Sequence, residues 1–174
     1  MSFARVRALA VVGALVLAAI IFVTVALVKD RQSGPAQAQG CAKDAVMANI
    51  TLPEEQDVKI NVYNATDKPG LASEMKNEFS NRKFKVLKSG NDPVKKPVTK
   101  VAQLRYGPKS VGAAWLLRAY FLNEADPQFD IKRTDDVVDV VMGTAFKQLA
   151  TTTEVHQALA QLGSPVLPPG TCSA

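Results

Sequence analysis

The longest hydrophobic stretch of the chain extends from Ala8 to Val28 and contains no charged residue. At 1.5 Å per residue, a helix of this length spans about 30 Å, the thickness of the hydrocarbon core of a bilayer. The pattern therefore predicts a transmembrane helix over residues 8–28, preceded by a short tail at residues 1–7.

Positive charges are balanced around this segment, with Arg5 and Arg7 before it and Lys29 and Arg31 after it. The positive-inside rule therefore gives only a weak signal. A short N-terminal tail and a long remainder favour a cytoplasmic N-terminus and an exported C-terminal part. We expect a single-pass protein of the cell membrane with an extracytoplasmic domain.

Two other interpretations of the N-terminal segment remain open. A cleaved signal peptide would use the small-x-small sequence Ala36-Gln37-Ala38, and a lipoprotein would use Cys41 after Gly40. The apolar run is longer than the usual core of a signal peptide, and charged residues separate it from the cleavage sequence. Ala38 also stands where lipoproteins usually have a larger aliphatic residue. We therefore favour an uncleaved anchor followed by a flexible linker.

Alternating and helical hydrophobic patterns follow this linker. Val58, Ile60 and Val62 alternate with polar residues, which predicts a half-buried strand. Apolar residues then recur at helical spacing over residues 70–81, and alternation returns from Lys83 to Lys88. A short helix is also predicted around residues 42–48, and a long loop from Ser89 to Pro97.

Strand and helix patterns continue through the second half of the domain. Strands are predicted at 101–106, 129–131 and 137–142, with an apolar helix at 109–122. Thr151 and Glu154 have the spacing of a capping box, so a last helix should begin there and end at Gly163. The order β-α-β-β-α-β-β-α predicts an α+β fold, a small mixed sheet with helices packed on one face.

Composition limits the soluble part to one domain. The chain has 174 residues, and about 130 remain after the predicted anchor and linker. Cys41 and Cys172 lie near the two ends of this part. In an oxidising compartment such a pair usually forms a disulfide, so we expect the bond Cys41–Cys172. Two distant cysteines and one histidine are a poor metal-ligand set, and we expect neither a metal nor a cofactor.

Five short motifs, in order, resemble the LytR C-terminal domain family. They are Val62-Tyr63-Asn64, Gly70-Leu71-Ala72, Phe84-Lys85-Val86, Arg105-Tyr106-Gly107-Pro108 and Val140-Val141-Met142-Gly143. The resemblance places a family-like domain at residues 57–143, after a linker and N-terminal extension at 29–56. Residues 144–174 would then form a C-terminal extension with a helix and a proline-rich tail.

The resemblance also implies a cellular role. The family's domain is often attached to LytR-CpsA-Psr enzymes, which attach glycopolymers to peptidoglycan, but this chain has no room for such a catalytic domain. An anchor, this domain and the end Pro-Pro-Gly-Thr-Cys at 168–172 are together similar to actinobacterial cell envelope integrity proteins. The resemblance therefore implies maintenance of the cell envelope without a known reaction.

The residues provide no convincing catalytic set. His156 falls beside the apolar stripe of its predicted helix, so we expect it to be exposed. The pairs Glu54-Glu55 and Asp135-Asp136 are adjacent in sequence, and neighbours in an extended strand point to opposite faces. No nucleotide-binding or metalloprotease motif is present in the sequence. We expect a non-enzyme, with an accessory or enzyme acting on envelope glycopolymers as the alternative.

Basic residues are concentrated in one segment. Between Arg82 and Lys109 nine basic residues accompany one acidic residue, whereas residues 124–139 carry six acidic residues and two basic ones. One interpretation is a patch that faces anionic lipid or wall phosphates. The interpretation that we prefer is mutual neutralisation or simple solvation. The candidate patch comprises Arg82, Lys83, Lys85, Lys88, Lys95, Lys96 and Lys100.

A candidate ligand groove lies at the end of the first predicted strand of the domain. Tyr63, Asn64 and Thr66 would line it, although Asn64 beside a turn more commonly hydrogen-bonds nearby backbone. Expected partners are the cytoplasmic membrane and a cell-wall polymer, a lipid or an envelope protein. Nucleic acid is not expected, because the domain is exported and aromatic residues are not interleaved with the lysines.

Overall fold

The computed structural model describes residues 12–13, 15–23, 41 and 44–174. The chain divides into two units, Met1–Gln39 and Gly40–Ala174. In the first unit, residues 12–13 and 15–23 are helical and exposed. No helix among the described positions is both long and apolar enough to cross a membrane. The remainder of the predicted 8–28 segment, the 1–7 tail and residues 29–40 lie outside the described residues.

The second unit contains seven strands and three α-helices within its described residues. The strands are β1 (Val46–Ala48), β2 (Lys59–Asn64), β3 (Lys85–Asn91), β4 (Ala102–Tyr106), β5 (Asp126–Phe129), β6 (Val137–Met142) and β7 (Thr171–Ser173). The helices are α1 (Leu71–Asn81), α2 (Val111–Tyr120) and α3 (Thr152–Leu162), with short 3-10 helices at Glu55–Asp57 and Pro108–Ser110.

Five strands form one mixed sheet in the order β3-β2-β6-β4-β5. β2 is parallel to both β3 and β6, β6 is antiparallel to β4, and β4 is parallel to β5. Helix α1 connects β2 to β3, and helix α2 connects β4 to β5. The sheet is therefore built from two strand-helix-strand units with β6 between them, which confirms the prediction of a mixed sheet.

The helices cover one face of this sheet. Ile60, Val62 and Val140 are fully buried on that face, and Phe79 of α1 and Leu117 of α2 pack against them. Phe79 also contacts Phe84 edge-on, with ring centroids 5.4 Å apart. Helix α3 adds Val155 and Ala158 to the same core. Burial of these apolar groups is the main favourable contribution to the stability of the domain.

Several predicted elements are wrong in type or position. The helix predicted around residues 42–48 is instead strand β1 over its last three residues, paired in parallel with β7. The predicted loop from Ser89 begins too early, because β3 continues to Asn91 beside β2. The strand predicted at 129–131 lies instead at Asp126–Phe129, where it pairs with β4. In each case pairing with a distant strand decides the structure, and the local pattern does not contain that information.

The β1–β7 pair lies near both ends of the second unit. Cys172, in β7, is bonded to Cys41 with an S–S distance of 2.05 Å, which confirms the predicted disulfide. The next residues anchor this pair to the domain. The Asn49 amide donates to the carbonyl of Pro108 at 2.8 Å, and the Gly112 amide donates to the carbonyl of Asn49 at 3.0 Å.

Candidate functional site

The face of the five-stranded sheet that the helices leave uncovered, called the open face here, carries a row of polar side chains. Strand alternation places Asn61 and Tyr63 of β2, Asp139 of β6, and Gln103 and Arg105 of β4 on this face. The sheet register brings them together, because Asn61 and Arg105 both pair with Asp139. Residues distant in sequence therefore form one cluster.

A cleft of about 380 Å³, called the open-face cleft here, lies over this cluster. Two loops raise its walls: the one after β3 contributes Pro93 and Val94, and the one before β6 contributes Arg133. The lining residues are Tyr63, Pro93, Val94, Gln103, Arg105, Tyr106, Gln128, Phe129, Asp130, Arg133 and Asp139. The volume lies within the range of small-molecule sites, about 300–1,000 Å³.

Asp92 holds Arg105 in place at one side of the cleft. Arg105 donates from Nη1 and Nη2 to the two carboxylate oxygens of Asp92, at 2.7 and 2.9 Å, and from Nε to Gln103 Oε1 at 2.7 Å. The Asp92 side chain is only 1% exposed. Burial alone would raise the pKa of Asp92, but hydrogen bonding to Arg105 and the Val94 amide outweighs it and lowers the pKa.

Arg133 occupies the other side of the cleft. Its Nη1 donates to Asp139 Oδ2 at 2.8 Å and to the carbonyl of Arg105 at 3.0 Å, and its Nε donates to Asp135 at 2.9 Å. Burial alone would lower the pKa of Arg133, but the two aspartates outweigh it and raise the pKa. The loop approaches closely because position 107 is glycine. A Cβ atom at Gly107 would lie 2.6 Å from the carbonyl oxygen of Arg133.

The ring of Tyr63 is not packed against another aromatic ring of the described residues, unlike the rings of the other two tyrosines. Tyr106 packs against Phe129 with centroids 5.7 Å apart, and Tyr120 packs against Phe84 and donates its hydroxyl to Glu55 at 2.9 Å. Within the described part of the chain, Tyr63 has neither an aromatic neighbour nor a hydroxyl partner. Burial and the charge of Asp139 raise the pKa of Tyr63, so its hydroxyl is neutral and able to donate near neutral pH.

One buried polar atom beside the cleft lacks a partner. Asn61 donates from Nδ2 to Asp139 Oδ1 at 2.7 Å, and this contact fixes the orientation of the amide because a carboxylate can only accept. The amide oxygen of Asn61, Oδ1, is buried and accepts no hydrogen bond from any described residue. Such a group usually indicates a bound water or another unseen donor.

A smaller pocket of about 250 Å³, called the edge pocket here, lies at the carboxyl ends of β2 and β6. Leu71 and Phe146 provide its apolar lining, and its polar lining consists of Thr66, Asp67, Lys68, Thr144 and Lys147. Ligands of open α/β sheets commonly bind at such an edge. Lys68 also pairs with Glu74 at 3.3 Å, so part of its positive charge is already compensated.

The three residues of the predicted groove have different positions. Tyr63 lines the open-face cleft, whereas Thr66 lines the edge pocket. Asn64 is buried and holds the intervening turn, since its Nδ2 donates to the Lys68 carbonyl at 2.7 Å and its Oδ1 accepts from the amide and hydroxyl of Thr66. A role of all three in ligand binding stays a prediction.

The predicted basic patch is only partly available to a ligand. Lys100 pairs with Asp126 at 2.8 Å, which joins the basic and acidic segments. Arg82 donates to the carbonyl of Ala150 at 2.6 Å and lies over the ring of Tyr120. In the described structure the remaining five side chains are exposed and form no ion pair: Lys83, Lys85, Lys88, Lys95 and Lys96. His156 is exposed on α3.

Most residues of the open-face cleft could not be predicted from the sequence. Gln103, Gln128, Arg133 and Asp139 were not candidate site residues, because only the sheet order and two loops bring them together. One signal was present in the sequence. Asp139 interrupts an otherwise apolar central strand, and a charged residue at such a position usually has a specific partner.

The fold and the disulfide define a small α/β domain made of two strand-helix-strand units around one central strand. Comparison with known sequences identifies its family. The LytR C-terminal family, described as LytR cell envelope-related transcriptional attenuator, matches residues 57–146, more than half of the chain. The chain belongs to this family, and the resemblance predicted from its motifs is confirmed.

Two relatives make the relationship more specific. The chain is similar to the cell envelope integrity protein Cei of Mycobacterium tuberculosis, with 26% identity over 119 residues. The match covers 67% of this chain and 54% of the relative, so the chain spans about half the length of that protein. A crystal structure of the soluble domain of a conserved hypothetical secreted protein from Mycobacterium marinum is also similar. The two structures superpose with a TM-score of 0.52, and their sequences are 26% identical. The match covers 75% of this chain and 82% of the Mycobacterium marinum chain.

Proposed function

We propose that this protein is a membrane-anchored, non-catalytic binding module of the cell envelope, whose extracytoplasmic domain contributes to envelope integrity. The observation that carries the proposal is the open-face cleft, in which both arginine side chains are already paired with aspartates. Such a site is suited to holding a ligand.

An extracytoplasmic location has support from the disulfide and from both relatives. Structural disulfides persist mainly in oxidising compartments outside the cytosol. The solved relative is a secreted protein and the sequence relative is a cell envelope integrity protein. The uncharged run at residues 8–28 supports an anchor with the N-terminus in the cytoplasm.

The enzymatic alternative has weaker support. General acid catalysis by a carboxyl group near neutral pH requires a raised pKa. Among the described residues, the carboxyl groups with a resolved change all have a lowered pKa: Asp92, Asp126, Asp136 and Glu154. Asp139, on the floor of the cleft, accepts from both Asn61 and Arg133 and is committed to these contacts.

A reporter fusion tests the location. Alkaline phosphatase, which is active only after export, is fused after residue 174 and expressed in a bacterial host. We expect high phosphatase activity in the membrane fraction. The matched control deletes residues 8–28 and should abolish that activity. Activity from the deleted form equal to that of the full chain, or an inactive full-chain fusion, contradicts the proposed topology.

A pull-down tests the binding role. The full chain is immobilised and exposed separately to the wall fraction and to the membrane fraction of a mycobacterial cell. Retention of material from either fraction is expected, and the retained class identifies the partner as polymer, lipid or protein. Absence of retained material from both fractions contradicts the proposal. Release of chemically altered glycopolymer during the incubation would instead support the enzymatic alternative.

A further inference from the structure

We propose that the open-face cleft binds an uncharged sugar unit of an envelope glycan, with the ring of Tyr63 as the stacking surface. This inference rests on the proposed function and narrows its ligand to one chemical class. Three features of the cleft favour such a ligand: the pairing of its arginines with aspartates, the free aromatic ring and the unused hydrogen-bonding atoms.

The charges in the cleft disfavour an anionic ligand. Both guanidinium groups are committed, Arg105 to Asp92 in a bidentate pair and Arg133 to Asp139 and Asp135. Asp130 adds a further carboxylate at the rim. A phosphate or carboxylate bound here would lie beside the carboxylates of Asp130 and Asp139, whose negative charges would repel it.

The position of Tyr63 favours a ligand with an apolar face. Its ring lines the cleft, and no other aromatic ring among the described residues packs against it. On the β3 side its neighbour in the register is Gly90, where an added Cβ would meet no atom within 4 Å. A ring with one accessible face can stack on the C–H face of a sugar, since aromatic side chains combine large apolar area with a polar edge.

The unused polar atoms around this ring complete the match to a sugar. In the described structure, the Tyr63 hydroxyl, Gln128 Oε1 and Arg133 Nη2 make no hydrogen bond within the protein. The tyrosine hydroxyl can both donate and accept, the glutamine oxygen can accept, and the arginine nitrogen can donate. A sugar hydroxyl also donates and accepts, so a sugar can satisfy all three without bringing a net charge into the cleft.

Binding of defined glycans by the full chain tests the inference. The chain is kept in a detergent whose headgroup is not a sugar and applied to an array of neutral oligosaccharides. Each glycan that binds is then titrated calorimetrically, with inorganic phosphate as the anionic probe. We expect binding of at least one neutral glycan and no binding of phosphate in the cleft.

Substitutions then locate the site. Tyr63→Ala should weaken the affinity at least tenfold, whereas Tyr63→Phe, which keeps the ring, should weaken it about threefold. Gln128 is exposed, so Gln128→Ala should leave the thermal midpoint unchanged and still weaken binding several-fold. Gln161→Ala, an exposed glutamine on α3, is the matched control and should leave the affinity unchanged.

The outcomes separate this inference from the proposed function. If no neutral glycan binds, or if Tyr63→Ala and Gln128→Ala bind as well as the parent chain, the inference is overturned. Phosphate binding that these variants abolish overturns it as well. In each of these cases the pull-down decides the wider proposal independently. Retention of an envelope fraction by both variants would leave the binding role intact while removing the cleft as its site.

Discussion

Asn64 illustrates how one side chain joins the sheet to the first helix. It is buried at the end of β2 and makes three hydrogen bonds, one to the carbonyl of Lys68 and two from Thr66. These bonds fix the turn that ends at Gly70, where φ is +79° and helix α1 begins. These contacts agree with the hydrogen bonding to nearby backbone that is the more common role of Asn beside a turn.

Replacement of Asn64 by alanine should therefore reduce stability. Loss of the bonds to Lys68 and Thr66 should lower the free energy of unfolding by about 1–3 kcal/mol, because buried backbone groups lose their partner. Urea unfolding monitored by circular dichroism measures the change. Asn77→Ala, at an exposed position of α1, is the control and should change stability little. Unchanged stability in Asn64→Ala, together with loss of glycan binding, would restore the ligand-binding interpretation.

Asp92 gives the cleft a predictable dependence on pH. Its pKa is lowered in the folded state, so the unfolded chain takes up a proton at Asp92 first as the pH falls. The stabilising contribution of Asp92 is complete above its ordinary pKa of 3.8 and is lost as the pH falls through the lower folded value. Acid should therefore weaken the Asp92–Arg105 pair before it affects the apolar core.

The substitution Asp92→Asn tests this contribution. It leaves Arg105 without its buried carboxylate and should cost about 3 kcal/mol at pH 7. The difference between parent and variant should stay constant down to about pH 4 and shrink at lower pH. Urea unfolding at a series of pH values measures it. A difference that grows on acidification would contradict the assignment of the lowered pKa to Asp92.

At the scale of elements, the packing of the N-terminal extension on α2 depends on one glycine. The segment from Asn49 to Thr51 crosses the first turn of α2, and the Gly112 amide donates to the carbonyl of Asn49 at 3.0 Å. A Cβ atom at Gly112 would clash with the carbonyl group of Thr51, whose carbon would lie 2.7 Å away. The extension at 46–51 can therefore reach β7 only because position 112 has no side chain.

The substitution Gly112→Ala should separate these elements. Overpacking against backbone cannot be relieved by a rotamer change, so we expect a loss of about 3 kcal/mol in the free energy of unfolding. Hydrogen exchange should be faster at the amides of β1. Gly90→Ala is the matched control, because a Cβ there meets no atom within 4 Å and φ is not positive. Equal stability of the two variants would contradict this account of the contact.

The elements also show what could be predicted from the sequence. β2, β6 and α3 are predicted almost to the residue, since alternation, a continuous apolar run and a capping box are local signals. β1 and β7 have three residues each and form only because distant ends of the chain meet. β5 contains Pro127 and so lacks a strand pattern. The cleft was missed for the same reason, since its residues meet only through the sheet order.

In the molecule as a whole, the disulfide connects the start of the second unit to its last strand. Cys41 and Cys172 are 131 residues apart, so the bond closes almost the entire domain into one loop. In the chain-entropy model, closing a loop of this length destabilises the unfolded state by about 5 kcal/mol. The bond also links β7 to the residues just before its partner strand β1.

Removal of the bond should therefore destabilise the domain without changing its fold. The free energy of unfolding should fall by several kcal/mol in the single variant Cys172→Ser. The double variant Cys41→Ser with Cys172→Ser should show the same loss. Urea unfolding measures the loss, and intact mass under non-reducing conditions verifies the bond in the parent chain. Two free thiols in the exported parent protein would contradict the bond itself.

Ligand binding on the open face of the sheet, as proposed above, is tested most directly by a map of backbone amide chemical shifts in the full chain as solubilised wall glycan is added. We expect saturable shifts that cluster around Tyr63, Gln103, Arg105 and Gln128. Shifts confined to Lys83–Lys96 or to the edge pocket around Thr66 and Lys147, or no shifts at all, would contradict it.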